Sequence, residues 1–208
     1  MICEKKTVFF ARGKRSISTS WSTCFLLFQD KRIRFWDVRA GTEPLHELEF
    51  GGKVTSVDLS RNGQYLLACA RDDTLRLVDS RSCQLVRTFA TQGFSVPCDW
   101  SRACFTPDSD HVSVGSANGN IYIWRTDDAS RPHTVLSEHS APVISLAWQP
   151  AGNSLTSCDK QKNVVVWASI WVNCQQYDSS FHHLQVQPFA LSLSFSYWRI
   201  LFQICHNS

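Results

Sequence analysis

Apolar and polar positions alternate along this chain in short runs that return at a steady interval. In Asp30-Lys31-Arg32-Ile33-Arg34-Phe35-Trp36-Asp37, Ile33 and Phe35 alternate with Arg32 and Arg34 before a Trp-Asp close, which is the pattern of a strand. The shape recurs as DDTLRLVD at 72–79, NGNIYIWR at 118–125 and QKNVVVW at 161–167. With Trp36, Val78, Trp124 and Trp167 taken as equivalent, the spacings are 42, 46 and 43 residues. Further strands fill each interval. The second unit predicts strands at 54–60, 64–70, 74–79 and 84–89, with turn signals at Arg61-Asn62-Gly63 and Arg71-Asp72-Asp73. The third predicts 102–106, 111–116, 121–125 and 134–136, and the fourth 142–148, 154–158 and 164–167 with no outer strand. Ahead of them, 21–28 and 43–50 flank the first run and make an incomplete first unit.

A self-similar unit of about 40–45 residues with a Trp-Asp ending is the signature of WD40 repeats, each one four-stranded propeller blade. The expected fold is therefore all-β, a partial WD40 β-propeller of about three to four antiparallel four-stranded blades. Residues 21–168 form the repeat region. Residues 1–20, with Lys5, Lys6, Arg12, Lys14 and Arg15, read as a basic flexible arm rather than a secretory signal, because no long apolar run is present. Residues 169–208 form a divergent, aromatic-rich tail with two formal charges, Asp178 and Arg199. Its Leu191-Ser192-Leu193-Ser194-Phe195-Ser196-Tyr197-Trp198 stretch alternates strictly. The tail is expected to be loosely ordered or to add an outer strand to blade four, since residues 189–205 are barely long enough for a membrane span and contain Arg199.

Charge and cysteines narrow the function class. Lys and Arg number 21 against 18 Asp and Glu in 208 residues. Residues 1–39 carry net +6 and the remainder net −3, so the blades are mildly acidic, which argues against nucleic acid as a partner. The nine cysteines include no C-x-x-C pair, so they read as reduced core thiols of a cytosolic protein rather than zinc ligands. No metal or cofactor is implied. There is no P-loop or G-x-G-x-x-G, and Gly51-Gly52-Lys53 is a turn before a strand. His182-His183 has no partners at ligand spacing.

In WD40 blades an Asp between the second and third strands bonds across the blade to a His, a hydroxyl and the Trp indole, a set that must be satisfied together. The candidates are His139, Ser157, Asp159 and Trp167 in blade four, with Asp159 two residues earlier than usual relative to Trp167. Trp36 and Trp124 stand at the Trp position elsewhere, and Asp72 and Asn118 at the turn position. A Ser-His-Asp hydrolase uses the same residue types, but no G-x-S-x-G elbow is present and the repeat accounts for the trio. The chain is read as a non-enzyme.

DKRIRFWDVRA, GGKVTSVDLS, LLACARDDTLRLVDSR, RTFATQGF, CDWSRACFTPD, GSANGNIYIW, VLSEHSAPVISLAWQPAGN and DKQKNVVVWA resemble the last propeller blades of the autophagy-related protein 16 (ATG16-like) family, over roughly residues 30–169. The Gly93-Phe94…Asp99-Trp100 insertion and the DKQKNVVVWA ending are features of that family. The resemblance implies an interaction scaffold in autophagosome assembly, belonging to or derived from the Atg12–Atg5–Atg16 system that promotes lipidation of ubiquitin-like proteins on the phagophore. Implied partners are members of that conjugation complex and cytosolic motifs of membrane proteins. Membrane association is peripheral, through partners, and localisation is cytoplasmic with recruitment to phagophore membranes. Lys53 aligns with a lysine of the family's partner-binding face, and Arg34, Arg71 and Arg76 are further docking candidates.

The chain departs from the family in three ways. Family members end just after the last blade Trp, whereas 41 residues follow Trp167 here. Their amino-terminal helix and coiled coil are missing, and no heptad pattern occurs. About half of a seven-bladed propeller is present, so an open arc is expected to leave two blade faces for the ends or a partner to cover. Such a chain reads as an alternative or partial product. The alternative readings are a WD40 adaptor of a ubiquitin ligase or trafficking complex, or a non-functional truncated product.

Overall fold

The computed structural model describes residues 7–10, 23–27, 31–37 and 44–168. They form fifteen strands in four antiparallel sheets. The first sheet is β1 (Thr7–Phe10), β2 (Thr23–Leu27), β3 (Arg32–Asp37) and β4 (His46–Glu49), in that order. The second is β5 (Val54–Leu59), β6 (Tyr65–Ala70), β7 (Thr74–Asp79) and β8 (Leu85–Phe89). The third is β9 (Ala103–Phe105), β10 (His111–Gly115), β11 (Asn120–Arg125) and β12 (Thr134–Ser137). The fourth holds β13 (Val143–Trp148), β14 (Ser154–Asp159) and β15 (Val164–Ala168). No helix occurs among the described residues, so none there is long and apolar enough to cross a membrane.

This is the all-β partial propeller expected from the repeat. The first blade, expected to be incomplete, has four strands. Thr7–Phe10, inside the stretch expected to be a flexible arm, pairs with β2 from Thr7↔Leu27 to Phe10↔Cys24. The tail at 169–208, including 191–198, lies outside the described residues.

The repeat is visible in the backbone as well. The turns joining second to third strands each hold a residue at positive φ: Lys31 (67°), Asp73 (59°), Gly119 (85°) and Lys162 (71°). Their spacing matches that of the Trp36, Val78, Trp124 and Trp167 positions. Three of the four are not glycine, so the tight turn is imposed by the strands it joins rather than chosen by local preference. At Gly119 the requirement is doubled, because a Cβ there would lie 2.2 Å from the His139 carbonyl oxygen.

The core sits between blades. Ile33 and Phe35 of β3 pack with Phe50, Val54, Val57, Leu66, Ala68 and Ala70 between blades one and two. Leu67, Cys69, Leu75 and Leu77 turn the other way, toward Phe94, Val112, Val114, Tyr122 and Trp124 of blade three. A third cluster joins Ile121, Ile123 and Leu136 to Val143, Leu146, Leu155 and Trp167. A second strand covered on both faces needs apolar residues at every position, which is why Leu66-Leu67-Ala68-Cys69-Ala70 is buried without a break. Cys69 and Cys83 are buried free thiols in these layers, and burial pushes the Cys69 thiol up to about 12.

Hydrogen bonds fix each blade to the next. Ser56 Oγ accepts the Ala103 N–H (3.1 Å), and Asp58 Oδ2 accepts the Phe105 N–H (2.8 Å). Burial raises the Asp58 pKa, and the bonds from Phe105 and Leu59 offset this only in part. Between blades three and four, Trp148 Nε1 donates to Ser113 Oγ (2.8 Å) and the Val143 N–H to the Ser116 carbonyl (3.1 Å). Gly115 leaves room for that approach: a Cβ on it would lie 2.5 Å from both Val143 Cγ1 and the Val143 carbonyl oxygen.

Candidate protein-interaction site

The loops that precede a blade's first strand meet the loops between second and third strands at one end of the sheets. The Arg71 N–H donates to the Lys53 carbonyl (2.8 Å), tying the stretch before β5 to the β6–β7 turn. Asp73 Oδ1 accepts the Val96 N–H (2.7 Å), and an Arg71 guanidinium nitrogen donates to the Val96 carbonyl (2.6 Å), so both also hold the long β8–β9 connection. That connection carries Asp99 to Lys53. Lys53 Nζ meets Asp99 Oδ2 at 2.6 Å, and Arg71 Nε approaches Asp99 Oδ1 at 3.7 Å. Next to Asp99, the Trp100 side chain is 50% exposed.

The rim thus presents two cations bridged by one carboxylate beside a half-exposed indole. All three charged side chains are partly solvated, so the pairs contribute little stability, about 0–1 kcal/mol each. Partly solvated charges beside an amphipathic indole can still exchange partners and anchor a bound protein.

The four docking candidates separate into two groups. Lys53 and Arg71 meet around Asp99. Arg76 is tied into the fold: it pairs with Asp72 Oδ2 (3.0 Å), donates to the Glu49 carbonyl (2.8 Å) and lies 4.4 Å above the Phe50 ring centroid. Arg34 is held on β3 by Glu47 of β4 (2.7 Å), with its side chain 18% exposed. Neither belongs to the Lys53 cluster. Asp99 and Trp100 are the members that charge reasoning misses, although the Asp-Trp pair marks the insertion in the sequence.

Deeper in blade four, His139, Ser157, Asp159 and Trp167 form one hydrogen-bonded set. Trp167 Nε1 donates to Ser157 Oγ (2.8 Å), Ser157 Oγ lies 2.7 Å from His139 Nε2, and His139 Nδ1 lies 3.0 Å from Asp159 Oδ2. With the Nδ1 proton directed at Asp159, the Ser157 hydroxyl accepts from the Trp167 indole and donates to Nε2. Asp159 occupies the last position of β14 rather than the turn, and from there its Oδ1 accepts the N–H groups of Gln161 and Asn163 (both 2.9 Å). Asn163 Nδ2 adds a bond to Oδ2 (3.0 Å). Burial works against the carboxylate, but the Asn163 and His139 hydrogen bonds outweigh it and hold Asp159 below the usual range. The His139 and Asp159 side chains are 1% and 0% exposed, and Ser157 is fully buried. A serine hydroxyl enclosed in this way has no path to a substrate carbonyl, so the trio braces the blade.

The other blades do not repeat the set. By strand register Ser157 corresponds to Ala68 and Val114, so the hydroxyl is missing from both. Trp124, expected to be a member, is instead packed against Phe89, Phe94 and Tyr122. Its buried indole nitrogen has no hydrogen-bond partner. Asp72, also expected to be a member, bonds to Arg76, Thr74 Oγ1 (2.7 Å) and the Gly51 N–H (3.0 Å). Asn118 bonds to the Gly93 carbonyl (2.9 Å) and Tyr122 hydroxyl (3.0 Å). Both turn residues thus bond to the residue four positions on. The Trp36 backbone pairs with Cys24, and its side chain lies outside the described residues. Among the described residues no His, Cys, Asp or Glu cluster could hold a metal ion.

Comparison with known proteins adds sequence kinship to this geometry. The family model described as "WD domain, G-beta repeat" matches residues 42–79, 83–125 and 130–168. The Caenorhabditis elegans protein "Autophagic-related protein 16.2" is 37% identical over 140 residues, covering 66% of this chain and 26% of that protein. The mouse "Protein Atg16l2" is 36% identical over 138 residues, covering 66% of this chain and 22% of that protein. The Arabidopsis thaliana "Autophagy-related protein 16" is 32% identical over 163 residues, covering 77% and 32%. The chain spans about a quarter of the length of the curated relatives it matches.

Proposed function

From the premise that this chain belongs to the family of WD-domain, G-beta repeat proteins, we propose that it is a non-catalytic scaffold of autophagosome assembly. In this role it docks members of the Atg12–Atg5–Atg16 conjugation machinery, or membrane-protein motifs that direct it, onto its rim. Two supports come from different directions. The relatives are proteins whose names place them in autophagy. The rim offers what a docking surface needs: Lys53 and Arg71 drawn together by Asp99, beside the half-exposed Trp100. Of these, the Lys53–Asp99–Trp100 arrangement carries the reading, because Arg76 and Arg34 are engaged within the fold.

The partner is a protein rather than nucleic acid. Residues 40–208 carry net −3, and the rim's two cations share an acidic neighbour instead of forming an open basic stripe. The chain works in the cytoplasm and reaches the phagophore through what it binds.

The test is co-precipitation of the tagged chain from autophagy-induced cells, blotted for the Atg12–Atg5 conjugate. The unsubstituted chain recovers the conjugate, Ser154→Ala recovers it equally, and Lys53→Glu combined with Trp100→Ala loses most of it. Failure of the unsubstituted chain to recover the conjugate overturns docking of the conjugation machinery and leaves the membrane-protein motifs as the rim's partner. Equal recovery by the rim double variant overturns the assignment of the rim.

A further inference from the structure

At the end of blade three away from the Lys53 rim, the turn between β9 and β10 meets the connection from β11 to β12. His111 opens β10 opposite Arg125, which closes β11. The connection, residues 126–133, is pinned along its length. The Thr126 N–H donates to the Asp110 carbonyl (2.9 Å), and Arg87 Nε reaches the Thr126 carbonyl from β8 (3.0 Å). The Asp128 carboxylate accepts the Ser130 N–H (2.9 Å), Pro132 has its φ fixed by its ring, and the His133 N–H donates to the Ile123 carbonyl (2.8 Å). A loop held in this way is in place before a ligand arrives, so binding to it costs little ordering.

Arg125, Asp128, Arg131, Pro132 and His133 line a cavity of about 460 Å³ at this end. Their donors are used only in part. Arg125 gives Nε and Nη2 to Asp127 (2.9 and 2.6 Å), which leaves Nη1. Asp128 is taken up by the Ser130 turn and lies near Arg131 without an ion pair to it. The Arg131 guanidinium makes no hydrogen bond or ion pair among the described residues. His133 meets Thr134 Oγ1 through Nδ1 (3.0 Å), and its ring packs edge-on against His111 with centroids 5.2 Å apart. When Nδ1 accepts the Thr134 hydroxyl, Nε2 carries a proton to donate.

The loop thus leaves cationic and imidazole donors on one cavity, with its own carboxylate spent on the turn. A carboxylate ligand has two oxygens, and Asp127 already fills the Arg125 fork with such a pair. A phosphate monoester has three terminal oxygens and a charge of about −1.5 to −2 at neutral pH, and guanidinium groups suit it. The surroundings restrict what carries it. Asp110 and Asp127 stand beside Arg125, and residues 40–208 are net −3, so an anionic bilayer or a nucleic-acid backbone laid over this end meets acids as well as bases. A single dianion on a peptide enters between them. We infer that the cavity is a docking site for a phosphorylated serine or threonine side chain of a partner protein, its phosphate held by Arg131, His133 Nε2 and Arg125 Nη1. The site is separate from the Lys53 rim and does not depend on it.

Fluorescence polarisation on the full chain tests the site, with a labelled degenerate peptide library carrying one fixed phosphoserine as the probe. The chain binds this library and not its unphosphorylated form, and inorganic phosphate displaces it. Arg131→Ala weakens binding about tenfold or more, the loss of a charge-assisted hydrogen bond. Arg61→Ala removes an exposed cation from the β5–β6 turn at the same end of the blades and leaves binding unchanged. Equal binding of the two libraries, no binding of either, or equal loss in Arg61→Ala overturns the proposal. So does preference for vesicles of phosphatidylcholine with phosphatidic acid over the peptides, which makes the ligand a lipid headgroup. If Arg131→Ala also speeds amide exchange in β10, His133→Phe takes its place, since it keeps a ring against His111 and lacks Nε2. It weakens binding as well, and unchanged binding overturns the proposal.

Discussion

Removing the Ser157 hydroxyl tests whether the buried set in blade four acts as one unit. Ser157→Ala leaves the Trp167 indole N–H, 2.8 Å from Oγ, and His139 Nε2, 2.7 Å from it, without their partner. Ser157 is 0% and Trp167 5% exposed, so water cannot replace the hydroxyl without opening the blade. Each orphaned buried group costs about 1–3 kcal/mol. The alanine itself fits, so no strain is added, and the total for the two groups is about 2–6 kcal/mol. Read as amide exchange across β13–β15, that is about 30- to 20,000-fold faster opening. The coupling is the sharper measure. Trp167→Phe removes the stranded donor, so it costs at least about 1 kcal/mol less in the Ser157→Ala background than alone. Exchange within about threefold of the unsubstituted chain, or additive single and double variants, would refute the reasoning.

Three further outcomes are expected. Val114 stands ten residues before Trp124 as Ser157 stands before Trp167, so Val114→Ser offers the orphaned Trp124 indole an acceptor. It stays within about 1 kcal/mol of the unsubstituted chain in urea unfolding, while Val112→Ser loses about 2 kcal/mol. Gly115→Ala drives a Cβ into the Val143 side chain and carbonyl and costs about 3 kcal/mol. Gly63→Ala meets only the strain of its positive φ, about 1–2 kcal/mol, since nothing lies within 4 Å of its Cβ position. The Asp159 carboxyl titrates below its unfolded value of about 3.9, so its contribution is whole above that pH and is lost as pH falls through the folded value. Protection of β13–β15 therefore drops below about pH 4, and Asp159→Asn removes that dependence.

The blades could be read from the sequence because a third strand must present apolar residues to a neighbouring blade at fixed positions. Ile33, Leu75, Ile121 and Val164 recur in phase whatever lies around them. The β1 strand could not, since Thr7–Phe10 is apolar in only part and gains its place by pairing with β2, a contact that local pattern does not encode. Leu66 to Ala70, expected as a strand between its flanking turn signals, shows no alternation because two cores share that strand.

The site followed the same division. His139, Ser157, Asp159 and Trp167 were legible as residue types at repeat spacing, because a buried set has to bring its own partners within the blade. Asp72 sits at the repeat's turn position, yet Arg76 one helical-like step of four residues on, with Phe50 beneath it, offers the carboxylate a nearer partner than any His or Trp. Phe50 stands by register where blade four has His139, so the cation–ring contact takes the place of the imidazole bond. The rim shows the limit of reading cations alone. Lys53, Arg71, Arg76 and Arg34 look alike as isolated basic residues, and what separates them is the acid each one meets. Asp99 reaches Lys53 from 46 residues away because the β8–β9 connection is held by Asp73 and Arg71. Substituting Asp73 should therefore loosen the rim while Lys53, Arg71 and Asp99 are all retained, which separates the effect of loop placement from that of the three clustered charges.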